Sequence, residues 1–172
     1  MMAYQALRPA LFLLPPEMAH RAAIRALQSG AVCGSGFHHP SLATSVAGIM
    51  LANPIGLAAG FDKNAEAFNG ALRCGFGFVE VGTVTPRAQS GNAKPRVFRL
   101  VEHEAIINRL GFNNEGADAA AKRLRVRGAG VVGGNIGKNK DSADAVADYV
   151  SAMRTLYPCV DYITANISSP NT

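Results

Sequence analysis

The stretch G-V-V-G-G-N-I-G-K-N-K-D-S-A-D-A-V-A-D-Y-V-S-A-M-R-T-L-Y-P-C-V-D-Y-I-T-A-N-I, residues 130–167, contains one complete strand–helix–strand pattern. Residues 130–136 form a short apolar run of the length expected for a buried strand. From Asp141 the period changes: Val146, Val150, Met153 and Tyr157 fall on one helical face, and Asp141 or Ser142 can cap the first turn. Pro158 marks the helix end, and residues 162–167 return to a strand. Two strands joined by a helix run parallel, with a right-handed crossover.

The same unit recurs upstream. Residues 55–59 are an apolar run after Asn53-Pro54, 64–74 read as a helix, and 78–84 as a second strand. A polar, proline-punctuated insertion covers 85–108, with 96–100 alternating like a small strand. Residues 113–127 then read as a helix with Asn114 as its N-cap. Repeated β-α units leave two architectures, a doubly wound sheet or a (βα)8 barrel. Residues 1–40 differ in character. Leu7, Leu11, Leu14, Met18, Ala22, Ile24 and Leu27 recur at helical spacing around Pro15-Pro16, which predicts two short amphipathic helices with a bend. Arg8, Arg21 and Arg25 make their polar faces basic, so these helices either cap a core or rest on an acidic bilayer. Residues 30–40 read as a linker.

Composition narrows the function classes. The chain has 172 residues, 48% of them hydrophobic, which suits a globular domain and excludes disorder. Seventeen basic against 12 acidic residues give +5, compatible with an anionic ligand, but no basic stripe interleaves with aromatics, which argues against nucleic-acid binding. Cys33, Cys74 and Cys159 are odd in number and widely spaced. Neither a disulfide framework nor a metal site is expected, and a reducing compartment is. No apolar run approaches the ~20 residues of a membrane-spanning helix, and residues 10–14 are too short for a signal-peptide core.

The polar residues fall in a telling place. Each of the four strands ends in glycine and polar residues: Gly60-Phe61-Asp62-Lys63-Asn64, Gly82-Thr83-Val84-Thr85, Asn135-Ile136-Gly137-Lys138-Asn139-Lys140, and Asn166-Ile167-Ser168-Ser169-Pro170-Asn171-Thr172. In parallel α/β folds the carboxyl ends of strands share one face, and that face holds the active site. Glycine and asparagine are also ordinary turn residues, but four such clusters at successive strand ends exceed what turns require. Amides both donate and accept, which suits a planar ligand with alternating carbonyl and N–H groups, and Lys63 can neutralise a carboxylate or a reduced ring. The run G-A-G-V-V-G (128–133) lies before and within a strand, so it is not a dinucleotide fingerprint. His20, His38, His39 and His103 lie outside the clusters and read as surface or packing residues.

At these residues the sequence resembles the dihydroorotate dehydrogenases. The likeness rests on N-P-I-G-L-A-A-G-F-D-K (53–63), E-V-G-T-V-T-P-R (80–87), G-N-A-K-P-R-V-F-R-L (91–100), I-N-R-L-G-F-N-N (107–114), N-I-G-K-N-K (135–140) and N-I-S-S-P-N-T (166–172). The resemblance implies an FMN-containing (βα)8 TIM barrel that oxidises dihydroorotate to orotate in pyrimidine biosynthesis. The N-terminal helices, and serine rather than cysteine at 169, resemble the quinone-dependent class. That class is a peripheral protein of the inner membrane, here expected on its cytoplasmic side. By resemblance, Ala59, Gly60, Phe61, Asp62, Lys63, Thr83, Asn135 and Asn166 hold FMN. Lys63, Asn108, Arg109, Leu110, Gly111, Phe112, Asn166 and Asn171 hold the substrate. Ser169 is the implied catalytic base at C5, and Thr172 and Phe112 shape the proton path. A serine hydroxyl is a very weak base, so it must pass its proton onward.

Two segments are expected: the helical extension over 1–40 and the N-terminal half of the barrel over 41–172. Only four of eight strands are legible, where such barrels run to ~250 residues. The resemblance assigns a second flavin lysine and the phosphate loops to a missing second half, so the chain alone is expected neither to retain FMN nor to turn over. Another FMN-barrel oxidoreductase acting on a dihydropyrimidine, or a non-catalytic fragment, are the alternatives.

Overall fold

The computed structural model describes residues 2–32, 34 and 39–169. Cys33, His38, Asn171 and Thr172 lie outside the described residues. In chain order the elements are α1 (Met2–Leu13), α2 (Pro16–Ser29), β1 (Thr44–Val46), β2 (Ile49–Leu51), β3 (Gly56–Leu57), α3 (Phe68–Arg73), β4 (Phe78–Val84), β5 (Val97–Leu100), β6 (Ala105–Asn108), α4 (Ala117–Leu124), β7 (Val131–Ile136), α5 (Ala145–Leu156) and β8 (Tyr162–Ala165). Strands β3, β4, β7 and β8 form one four-stranded sheet in that order, every neighbour parallel. This is four strands of an α/β barrel that is not closed.

The two faces of the sheet separate by the two-residue period of a strand. On the outer face Val79, Val81, Val132 and Ile136 are all but fully buried under Phe68 and Ala71 of α3, Ala117, Ala120, Ala121 and Leu124 of α4, and Ala152 and Leu156 of α5. Alanines dominate the helical side because small residues let the helices sit close to β-branched strands. The inner face is polar and aromatic, and its register makes room by omission. Glu80 pairs with Gly133, which pairs with Tyr162. A Cβ on Gly133 would sit 2.1 Å from the Tyr162 ring, so the ring leans across the space a side chain would fill.

Several expectations shift. The first strand is confined to Gly56–Leu57 rather than 55–59, because the chain already turns into the rim loop at Gly60, where φ is 102°. The helix read over 64–74 begins only at Phe68. The Asp62 carboxylate accepts from Glu66 N and Ala67 N, both at 2.7 Å, and holds the intervening residues in a turn. Asn114 is not the cap of α4, which starts at Ala117; it is buried, accepting from Gly116 N at 2.8 Å and donating to Thr85 Oγ1 at 2.8 Å. Asp144, not Asp141 or Ser142, caps α5, accepting from Ala147 N at 3.0 Å. The stripe Val146, Val150, Met153 and Tyr157 faces outward, 40–71% exposed, while Ala152 and Leu156 are buried. A helix with two apolar stripes does not announce which one meets the sheet.

Two hairpins were not foreseen. β1 and β2 pair antiparallel, and with Pro54, Phe78, Val131 and Tyr162 they line an apolar cavity of about 430 Å³ at the amino ends of the strands. The small strand at 97–100 finds an antiparallel partner in β6. The bend between α1 and α2 falls where Pro15-Pro16 places it. The helices dock on the β5–β6 hairpin and the rim. Glu17 makes a two-pronged ion pair with the buried Arg96, at 2.9 Å on each arm, and Arg99 donates to Leu14 O at 2.8 Å. Arg21 pairs with Glu66, and Ile24 is 2% exposed.

The Arg96 hydrogen bonds hold the Glu17 carboxyl below its usual range, outweighing its partial burial. Its contribution to docking is therefore complete above the ordinary carboxylate range and disappears as pH falls through the lowered value. Glu17→Gln is expected to cost about 1–3 kcal/mol, because it leaves the Arg96 guanidinium without its anion. It should also flatten the acid limb of a stability–pH curve measured by denaturant titration. Leu156→Ala is expected to cost roughly 2–5 kcal/mol, and Val146→Ala, at 71% exposed, about 0.5 kcal/mol or less. Equal losses in urea unfolding would reverse the assignment of the buried face of α5.

Candidate functional site

The carboxyl ends of the four strands are stitched together by short bonds. Gly60 N donates to Gly82 O at 2.7 Å and Gly82 N to Asp62 O at 3.0 Å, joining the loop after β3 to the carboxyl half of β4. Gly82 has φ 105°, and a Cβ there would meet Asn135 O at 2.4 Å, so only glycine lets β7 approach this closely. Gly137 N donates to Val84 O and Asn166 N to Ile136 O, each at 2.9 Å, extending the rim across β7 and β8.

Side chains follow the same course. Asn166 Nδ2 donates to Thr83 Oγ1 at 2.9 Å, and Thr83 Oγ1 donates to Asn135 Oδ1 at 2.6 Å. Lys63 Nζ donates to Gly60 O. Lys63, Thr83, Asn135 and Asn166 therefore belong to one rim, as the strand-end clusters predicted. Phe112 joins them: it is 9% exposed, and a Cβ on Gly137 would touch both its ring, at 2.7 Å, and the Thr83 methyl, at 2.8 Å.

Beside the rim lies a cavity of about 400 Å³ under α2 and the β5–β6 hairpin. Gly60, Phe61, Lys63, Asn108, Leu110 and Asn113 line it, together with His20 and Arg99. The Asn113 Oδ1 atom is buried with no hydrogen-bond partner, an acceptor left for a ligand donor. His20 is half-buried and bonds through Nε2 to Phe61 O at 2.7 Å, its ring edge-on to Phe61 at 5.1 Å. Burial holds His20 below its usual pKa. Burial also lowers Lys63, with the Arg96 charge adding to the effect and Glu17 and Asp62 opposing it. An ammonium kept short of water in this way has most to gain from an anionic partner.

Other expected site residues are placed differently. Asp62 is 1% exposed, and its carboxylate is taken up by the backbone of 66 and 67; only its carbonyl touches the rim. Arg109 is exposed and donates to Pro95 O at 3.0 Å, outside the cavity lining. Gly111 is buried, its carbonyl accepting from Gln89 Nε2 at 3.2 Å. Ala59 is half-buried beside Gly60, and Ser169 is half-buried three residues beyond Asn166. The sequence reading missed Glu80, His20, Arg99 and the Glu17–Arg96 pair as site elements. Only Glu80 carried a signal, as a charge alternating between Val79 and Val81 within a buried strand.

The rim suits a flavin by its donor set: amides, a hydroxyl and an ammonium on one edge, with the Gly60 loop open for a flat ring because a Cβ there would meet nothing within 4 Å. The family model for dihydroorotate dehydrogenase matches residues 41–172. A dihydroorotate dehydrogenase (quinone) of Rhizobium rhizogenes is 58% identical over 168 residues, 96% of this chain and 46% of that protein. One from Erythrobacter litoralis is 54% identical over 99% of this chain and 50% of its own length. The crystal structure of an Eimeria tenella DHODH in complex with ferulenol superposes with a TM-score of 0.86 at 43% identity, covering 91% of this chain and 45% of that one. The chain spans about half the length of the relatives it matches, and it belongs to the dihydroorotate dehydrogenase family.

Proposed function

We propose that the protein carrying this chain oxidises dihydroorotate to orotate, a step of pyrimidine biosynthesis, with FMN as resident cofactor and a quinone as final acceptor. The observation that carries this reading is the joining of Lys63, Thr83, Asn135 and Asn166 on one rim, next to a cavity roofed by α2. Ala59, Gly60, Lys63, Thr83, Asn135 and Asn166 would hold the flavin, which supplies the hydride acceptor that no side chain can. Lys63 offsets the substrate carboxylate, and the amides fix the ring for hydride departure from C6. Ser169 takes the C5 proton and passes it on, Phe112 bounds its path, and Asn171 and Thr172 have the roles the family resemblance gives them.

The apolar walls of the cavity, Pro16, Ala19, Val97, Ile106 and Leu110, with His20 and Arg99 as polar contacts, suit a quinone ring. α1, the bend beyond it and the first turn of α2 expose Leu7, Leu13, Leu14 and Met18. Arg8 and Arg99 flank Phe12 at 4.9 and 4.8 Å. Among the described residues no helix is long and apolar enough to cross a membrane. A surface of leucines beside arginines supports peripheral contact with an acidic bilayer, proposed as the cytoplasmic face of the inner membrane.

Lys63 generates the decisive test, because dihydrouracil lacks the carboxylate it pairs with. Lys63→Met is expected to weaken orotate binding roughly tenfold to a hundredfold while removing the preference for dihydroorotate over dihydrouracil. The lowered Lys63 pKa gives the sign with pH. Orotate affinity should fall as pH rises through that value, earlier than an ordinary lysine would allow, and the variant should lose this dependence. A calorimetric titration in which Lys63→Met binds orotate like the parent would refute the assignment. For the membrane, Leu7→Gln/Leu13→Gln should abolish flotation with anionic liposomes and leave the far-ultraviolet spectrum unchanged. Continued flotation would remove α1 as the contact.

A further inference from the structure

We propose that Glu80 is a positioning residue that sets the direction of the hydrogen bonds along the rim, and with it the edge of Asn166 shown to a ligand. Glu80 lies on the inner face of β4. Its Oε1 accepts from Asn135 Nδ2 at 2.8 Å and its Oε2 from Thr164 Oγ1 at 3.0 Å, so it binds β4 to both β7 and β8. The Tyr162 ring leans over the gap left by Gly133, and burial, with the Glu80 charge adding to it, pushes its phenol up.

Direction follows from chemistry. An ionised carboxylate accepts and cannot donate, whereas an amide or hydroxyl can do either. Asn135 must therefore turn its NH2 to Glu80, which leaves its Oδ1 toward Thr83. Thr83 must then donate to Asn135 and can only accept from the next neighbour, so Asn166 must turn its NH2 to Thr83. The planar amide of Asn166 is left with Oδ1 on its opposite edge, an acceptor suited to a ring N–H. One charge two side chains away thus removes a twofold ambiguity that two amides and a hydroxyl would otherwise share. Such a polarised chain is stronger than its separate bonds. This is independent of the proposed reaction, except that the ligand carrying the N–H is taken to be the dihydropyrimidine of that reading.

The test is the full chain with 15N-labelled asparagine side chains, the Asn166 NH2 pair being identified by its loss in Asn166→Ala. Glu80→Gln can accept or donate toward Asn135, so both directions become available, and the Asn166 pair should double or broaden by exchange. Glu80→Gln/Asn135→Asp restores an obligate acceptor next to Thr83 and should return a single sharp pair. A role limited to filling space or carrying charge predicts no such return. A single unchanged pair in folded Glu80→Gln, or no recovery in the double variant, overturns the proposal. If the Glu80 variants fail to fold, Thr83→Val should shift the Asn166 pair and Thr83→Ser should leave it in place; an unmoved pair in Thr83→Val also overturns it. Orotate affinity in Glu80→Gln is expected to fall roughly twofold to tenfold. If the unmodified complete protein carrying this chain does not bind orotate while the amide pairs behave as stated, the proposed substrate fails and the role of Glu80 stands. Normal orotate binding with unmoved amides gives the reverse.

Discussion

The parallel register of β3, β4, β7 and β8 is the constraint on which the rest of the molecule depends. When every strand runs the same way, every loop at a carboxyl end emerges on the same side, however far apart the loops lie in sequence. Asn166 reaches Thr83 across 83 residues because the sheet has already aligned them. The same alternation that sends Val79 and Val81 into the helical layer sends Glu80 inward, so core and site are built from alternate residues of one strand.

The rim is held by two kinds of bond. Backbone bonds from loops to β4, such as Gly60 to Gly82 and Gly137 to Val84, fix where the loops stand. The side-chain row from Asn166 to Glu80 fixes how their polar groups point. A carboxylate inside a sheet is costly unless its lone pairs are used, and here donors from two side chains, one on each of two neighbouring strands, use them. The cost is justified by orientation at the rim, where amides alone would be ambiguous.

The N-terminal helices are attached by charge as much as by apolar burial. The Glu17–Arg96 pair and the Arg99 bond to Leu14 O fasten them to the β5–β6 hairpin, while most of their leucines remain exposed. A helix pair that packed for stability alone would turn that surface inward. Its exposure leaves an apolar, arginine-flanked face beside the cavity that α2 roofs.

The strands read at 78–84, 130–136 and 162–167 were legible, the last ending earlier at Ala165, because apolar, β-branched runs between turn residues have few other stable forms. The clustering of Lys63, Thr83, Asn135 and Asn166 was legible too, because parallel connectivity makes the carboxyl ends converge. The quoted motifs also carried the family resemblance. Tertiary structure alone decided the buried face of α5, since Val146 and Leu156 are equally apolar and only contact with the sheet distinguishes them. It decided that Asn114 braces a loop instead of capping a helix, and that Asp62 serves the backbone. It also brought His20 and Arg99 to the cavity. Local preference acts over a few residues, whereas these roles depend on which distant donor, acceptor or surface arrives beside each group once the sheet has formed.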